Sequence, residues 1–254
     1  MSMPERRRLL ILGGTRDAAV LAQEAVTRWG YSTDVISSLA GRTSTPVEIV
    51  GAVRTGGFGG VDAMAAYLEA EHVTAVIDAT HPFAAQISAN AAAACDQTGT
   101  PRVLLKRPMW ERQHGDLWHM VADAAQAAGM LDRFGHRAFL TTGRTGLDCF
   151  AGCTGAWFLV RLVELPIGPL PLADYHVIAD RGPFTVDGEK ALLERHEIDV
   201  IVCKASGGEM TRAKLDAARI LGLPVVMIAR PPLPDGPQAG SVSAVLTWLG
   251  ELLA

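Results

Sequence analysis

The stretch that most restricts what this chain can fold into is 73–107, VTAVIDATHPFAAQISANAAAACDQTGTPRVLLKR. An apolar run of strand length, 73–79, breaks into the polar turn Asp78-Ala79-Thr80-His81-Pro82. The small-residue segment 83–97 predicts a helix, Gly99-Thr100-Pro101 ends it, and Val103-Leu104-Leu105 begins a second strand. Strand, helix and strand in this order join parallel neighbours in a sheet. The carboxyl end of the first strand then faces the crevice where α/β proteins hold ligands. Thr80 and His81 stand at that end. Pro82 suits the first turn of a helix, where a missing N–H costs little.

The chain opens in the same way. Residues 8–12 form a short apolar strand, and Gly13-Gly14-Thr15-Arg16-Asp17 is a glycine turn. The segment 18–29 predicts a helix, with Val20, Leu21, Ala25 and Val26 on its apolar face. A glycine turn lets backbone N–H groups approach a phosphate, and the helix N-terminus favours an anion. The turn reads GGTxxA rather than GxGxxG, so a tight turn without a ligand fits it as well. A second strand over 32–37 ends in Ser37-Ser38, followed by Gly41-Arg42-Thr43. In dinucleotide-binding folds an acid at this strand end favours the unphosphorylated cofactor. Two hydroxyls and Arg42 stand there instead, which suits a 2′-phosphate and makes NADPH the expected cofactor; the plain alternative for Arg42 is a solvated surface charge. A third strand over 47–54 leads through Gly56-Gly57-Phe58-Gly59-Gly60 into a helix over 61–71. Those glycines mean either close approach of a ligand to the backbone or a turn that needs positive φ.

After residue 108 the pattern changes. The polar and aromatic segment 111–119 reads as a link, followed by a helix over 121–134 and a strand over 137–141 that ends in Thr142-Gly143-Arg144-Thr145-Gly146. Strands over 157–162 and 175–179 enclose a loop with Pro166, Pro169 and Pro171, and a helix is expected over 187–196. The 73–107 grammar then recurs: a strand over 199–204, the turn Ala205-Ser206-Gly207-Gly208, a helix over 211–221, Gly222-Leu223-Pro224, a strand over 225–229, and Arg230-Pro231. Both copies end in Arg-Pro. The expected architecture is α/β, with two Rossmann-like parallel-sheet domains, 1–112 and 113–254, and a ligand cleft between them lined by Thr80-His81, Gly143-Arg144 and 204–208. Chance likeness of two strand–helix–strand units is the alternative.

Composition excludes other classes. A chain of 254 residues, 49% hydrophobic, can bury a large core. Its net charge of −4 argues against a nucleic-acid binder with a broad basic face. No apolar run approaches the roughly 20 residues of a membrane helix, and the four apolar residues after Arg6-Arg7-Arg8 are too few for a secretion signal. Cys95, Cys149, Cys153 and Cys203 form no CxxC pair, so no metal site is expected, and reduced thiols in a cytoplasmic protein are the default.

Several segments together resemble the precorrin-6A reductase family: GGTRDAAVLA (13–22), GGFGGVDAMAAYL (56–68), IDATHPFAAQISANA (77–91), RPMW (107–110), RGPF (181–184) and KASGG (204–208). They lie in the family's order over nearly the whole chain, and IDATHPFA is the most specific. Gly57 stands where the family is expected to carry a basic residue, and Ala205 where an acidic one is common. The resemblance implies an NADPH-dependent oxidoreductase of cobalamin biosynthesis, acting on a CH–CH bond and transferring hydride to a double bond of the tetrapyrrole precorrin-6A to give precorrin-6B. Neighbouring enzymes of the pathway are candidate partners. The alternatives are the cobalt-precorrin-6A reductase of the anaerobic pathway, a reductase of some other substrate, and a non-enzymatic nucleotide-binding module.

Hydride transfer needs positioning and exclusion of water rather than a nucleophile, and the chain has no GxSxG, HExxH or paired-carboxylate pattern. The candidate cofactor-binding residues are Gly13, Gly14, Thr15, Arg16, Ser37, Ser38, Arg42, Thr80, His81, Pro82 and Phe83. The substrate's acetate and propionate arms call for cations, and Arg144, Arg181, Lys204 and Arg230 follow strands of the second half, with Ser206 and Gly207 beside them. His81 is the candidate catalytic acid, since imidazole titrates near neutrality; a structural hydrogen bond or a cofactor contact is the alternative. Trp110 and Trp118 either stack on a macrocycle or fill the link.

Overall fold

The computed structural model describes residues 6–41 and 49–254. They divide into two compact units. The first runs to Arg107 and resumes with Pro231–Ala254; the second is Pro108–Arg230.

The first unit starts with β1 (Arg7–Leu12), α1 (Arg16–Trp29), β2 (Thr33–Leu39), β3 (Ala52–Thr55), α2 (Val61–Ala70), β4 (Ala75–Asp78), α3 (Ala85–Thr98) and β5 (Arg102–Leu105). All five strands run parallel, in the order β5-β4-β1-β2-β3. β1 lies inside the sheet and is covered on both faces, so it reads as a continuous apolar run rather than an alternation. Leu9 and Ile11 join α1 residues Leu21, Ala22 and Ala25 in one core cluster. Leu10 and Leu12 point the other way, to Met64 and Leu68 of α2 and Ala91 and Ala94 of α3. This period of two through the central strand makes the unit a three-layer sandwich.

The second unit holds β6 (Trp118–Val121), α4 (Ala124–Ala128), β7 (Arg137–Leu140), β8 (Trp157–Leu162), β9 (Tyr175–Ala179), α5 (Val186–Arg195), β10 (Val200–Lys204), α6 (Ala213–Leu221) and β11 (Val225–Ile228). Its sheet is parallel throughout, in the order β6-β11-β10-β7-β8-β9. The chain then returns to the first unit with β12 (Gln238–Ala239) and α7 (Val242–Leu253). β12 pairs with β5, and α7 buries Val245, Leu246, Leu249 and Leu253 in the cluster of Leu9 and Ile11. A hydrogen bond from Arg7 to the Leu253 carbonyl ties the end of α7 to β1.

From one edge to the other, the sheets read β3-β2-β1-β4-β5-β12 and β9-β8-β7-β10-β11-β6. Each is the 3-2-1-4-5-6 order of dinucleotide-binding folds. The sixth strands are exchanged: β6 follows β5 in the chain but pairs with β11, and β12 follows β11 but pairs with β5. The exchanges fall at Arg107-Pro108 and Arg230-Pro231, where the compact units also divide. Residues 231–254 thus group with the first unit, and 108–112 with the second, which differs from a division at 1–112 and 113–254.

Local expectations needed adjustment in three places. Where a helix is expected over 121–134, Val121 ends β6, and the rest holds only the five-residue α4 and a 3₁₀ turn at Leu131–Arg133. Asp123 accepts from the Gln126 amide and caps α4, so no helix starts earlier. The helix expected from residue 83 starts at Ala85, because His81 to Ala84 is a turn closed by the Ala84 amide on the His81 carbonyl at 2.7 Å. The strand expected over 47–54 is observed as Ala52–Thr55, with residues 47–48 outside the described part.

Candidate functional site

In the first sheet the strand order reverses between β1 and β4, and the turns after these two strands meet. Gly14 takes φ 97°, and a Cβ there would meet nothing within 4 Å, so the turn needs glycine for its backbone and faces open space. Thr15 caps α1: its hydroxyl accepts from the Ala18 amide at 3.1 Å and donates to the Ala79 carbonyl at 2.8 Å. Arg16, the first residue of α1, is exposed. Arg107, at the end of the Lys106-Arg107 segment after β5, donates through Nη2 to Asp17 in the first turn of α1 at 2.7 Å.

The turn after β4 is built by Asp78, whose role the sequence reading missed. Asp78 is 1% exposed, and its Oδ1 accepts from the Thr80 amide at 3.1 Å and the Thr80 hydroxyl at 2.7 Å. The Thr80 hydroxyl lies 3.3 Å from that of Ser88 on α3. An aspartate two residues before a hydroxyl residue is the signal for such a turn. His81 is exposed, and its Nδ1 accepts from the Phe83 amide at 3.2 Å, with the two rings 5.9 Å apart. Pro82 and Phe83 are half-buried. The imidazole is therefore held at the carboxyl end of the central strands with Nδ1 as acceptor.

Ser37 and Ser38 lie within β2, 2% and 7% exposed. The Ser38 hydroxyl accepts from Arg54 Nη1 at 3.2 Å. Arg54 is a second residue the sequence reading missed; its signal was its place just before the glycine-rich loop. Arg42 lies outside the described residues.

In the second sheet the order reverses between β7 and β10. The Thr141 amide bonds the Val202 carbonyl at 2.9 Å, which brings the turns after these strands side by side. Gly143 takes φ 74° with open space around it, and the exposed Arg144 donates to the Leu165 carbonyl at 3.4 Å. Lys204 and Ser206 are half-buried on the neighbouring turn. Arg230 is placed as a clamp on that turn: Nε donates to the Ala205 carbonyl at 2.7 Å, and Nη2 to the Ser206 and Pro108 carbonyls at 2.9 and 3.2 Å. Gly207 is buried at φ 66°, and a Cβ there would fall on the Pro108 carbonyl oxygen and within 2.6 Å of Arg230 Nη2. Arg181 is exposed after β9, an edge strand, but its loop folds back so that the Phe184 amide bonds the Met210 carbonyl at 3.3 Å.

Behind these turns the second unit buries charge. Trp110 is 6% exposed and donates from Nε1 to the Gly208 carbonyl at 2.8 Å, a packing role for this ring. Lys214 is 5% exposed, donates to the Thr211 carbonyl at 2.7 Å and lies 5.2 Å from the Trp110 ring centre. Burial pushes its ammonium pKa below the usual lysine value. The Cys203 thiol is pushed up to about 11, mainly by burial. Arg161 pairs with Glu189 at 2.7 Å, both nearly inaccessible.

A family model described as precorrin-6x reductase CbiJ/CobK matches residues 8–250. The chain is 49% identical over 246 residues to a precorrin-6A reductase of Rhodococcus erythropolis, covering 96% of this chain and 98% of the relative. It is 32% identical to a cobalt-precorrin-6A reductase of Salmonella typhimurium, covering 95% and 96%. The solved structure titled CobK precorrin-6A reductase superposes with a TM-score of 0.91 at 44% identity, covering 98% of each chain. With nearly the whole chain covered by the family model and by these relatives, the chain belongs to the precorrin-6x reductase CbiJ/CobK family.

Proposed function

We propose that this protein reduces precorrin-6A to precorrin-6B in cobalamin biosynthesis, with NADPH as the hydride donor. The observation that carries the reading is the 3-2-1-4-5-6 parallel sheet with a glycine turn and a capped helix at its switch point, in a chain of this family. That turn fits a dinucleotide: Gly14 leaves open space over the backbone, and α1 presents its N-terminus beside it. The greater identity to the precorrin-6A reductase than to its cobalt-precorrin counterpart favours the metal-free macrocycle.

When bound, reduced nicotinamide supplies the hydride that, with one proton, saturates a carbon–carbon double bond. The residues of the chain bind and orient. Gly13, Gly14, Thr15 and Arg16 would hold the pyrophosphate, with Thr80, His81, Pro82 and Phe83 beside the nicotinamide. The exposed position of His81 suits an orienting contact or delivery of the proton. Arg144, Lys204, Arg181 and Ser206 would hold substrate carboxylates, while Gly207 and Arg230 shape the turn that carries Lys204 and Ser206.

The test is single-turnover oxidation of NADPH with precorrin-6A under anaerobic conditions, following nicotinamide and macrocycle absorbance together. Stoichiometric loss of NADPH with a matching macrocycle change is expected. No macrocycle change with NADPH would overturn the reading, and faster turnover of the cobalt complex than of precorrin-6A would favour the second substrate.

A further inference from the structure

We infer that Arg54 reads the 2′-phosphate of the dinucleotide, which makes it the residue that sets NADP over NAD. The inference rests on the dinucleotide reading of the first unit. Arg54 lies next to Ser38 in the pairing of β3 with β2, at the carboxyl end of both strands. That is the edge at which folds of this strand order meet the adenosine ribose.

Three features fit the guanidinium to an anion. First, it is held in place. Nη1 donates to the Ser38 hydroxyl at 3.2 Å and the Gly56 carbonyl at 2.7 Å, and Nη2 to the Gly57 carbonyl at 2.8 Å. Its carbon lies 3.7 Å from the Phe58 ring centre and 5.3 Å from that of Tyr67. Second, its partners among the described residues carry no opposite charge. All three acceptors are neutral, and among the described residues no carboxylate forms an ion pair with Arg54. Other arginines of the unit do have such pairs: Arg6 with Asp34, Arg8 with Glu71 and Arg107 with Asp17. Third, there is room beside it. Cβ atoms on Gly56 and Gly57 would meet nothing within 4 Å, and Gly57 does not take a positive φ. The Cβ positions of the 56–57 turn therefore face open space. A planar guanidinium already fixed by neutral acceptors loses little entropy on meeting phosphate oxygens, and such charge-assisted bonds are the strong kind.

A structural splint for the 56–57 turn would affect both cofactors alike; a phosphate reader affects only NADP. Calorimetric titration of the full-length protein with NADP⁺ and with NAD⁺ separates them. Arg54→Ala should weaken NADP⁺ binding roughly 10- to 100-fold, the range expected for a charged contact, and leave NAD⁺ within about 2-fold. Arg54→Gln, which keeps a donor for the loop carbonyls, should show the same selective loss if Arg54→Ala fails to fold, and Arg54→Lys should recover part of it. An unchanged NADP⁺ to NAD⁺ ratio in Arg54→Gln, or an equal loss for both, overturns the assignment to Arg54 alone. An unsubstituted protein that binds neither dinucleotide overturns the dinucleotide reading and this inference with it.

Discussion

The Thr15 hydroxyl donates to the Ala79 carbonyl at 2.8 Å while accepting from the Ala18 amide at 3.1 Å. One side chain thus caps α1 and joins the turns after β1 and β4, the strands on either side of the switch point. Thr15→Val keeps the shape and loses both bonds. A loss of about 1–2 kcal/mol in stability is expected, with weaker dinucleotide binding, and Thr15→Ser should retain both. Urea unfolding and cofactor titration of the two variants check this. A fully stable Thr15→Val would show that the bridge contributes nothing.

Gly207 combines positive φ with a site for Cβ already occupied by the Pro108 carbonyl oxygen and Arg230. Gly207→Ala must move the turn that carries Lys204 and Ser206. Backbone strain and displacement should together cost about 2 kcal/mol or more. Differential scanning calorimetry should show a lower melting temperature, and substrate affinity should fall while dinucleotide affinity changes little.

Arg144 and Lys204 stand on adjacent turns of the second sheet. Replacing either with Ala should weaken precorrin-6A binding by about 1–3 kcal/mol for each charge-assisted hydrogen bond removed, with NADPH affinity nearly unchanged. Direct titration of both ligands decides it. Normal substrate affinity without NADPH binding in both variants would place the two ligands the other way round.

Burial pushes the Cys95 thiol up to about 12, from an ordinary value of 9.0. Above pH 9 the unfolded chain ionises this thiol and the folded protein does not, so the unfolded state releases protons and gains stability. The thiol's contribution to folding is therefore present below pH 9 and is lost as pH rises toward 12. Chemical unfolding across pH 8 to about 11 should show a steeper fall for the natural protein than for Cys95→Ala. Parallel curves would show that Cys95 titrates alike in both states.

Much of this protein was legible from local pattern. Strand-length apolar runs, glycine turns and the Thr80-His81-Pro82 break are local properties, so 8–12, 73–79 and 199–204 all appear as strands close to where the sequence placed them. The likeness of the two halves was visible because each repeats the same strand–helix–strand grammar. Arg54 and Asp78 were not legible as site builders. Their roles come from hydrogen bonds to a neighbouring strand or turn, and no periodicity records those partners. Arg230 looked like a ligand-facing cation at a strand end, and only folding showed its guanidinium turned back onto the Ala205 and Ser206 carbonyls. The exchanged sixth strands were beyond the sequence for a similar reason. β6 and β12 are four and two residues long, too short to show their own alternation. Which sheet each joins is set by the open edges of β11 and β5, whose unpaired backbone groups take whichever strand the chain brings to them. Local pattern was enough to give the parallel α/β units and the glycine turns after their strands; which strand completes each sheet was settled only by tertiary folding, because edge pairing depends on where the chain returns rather than on what it is made of.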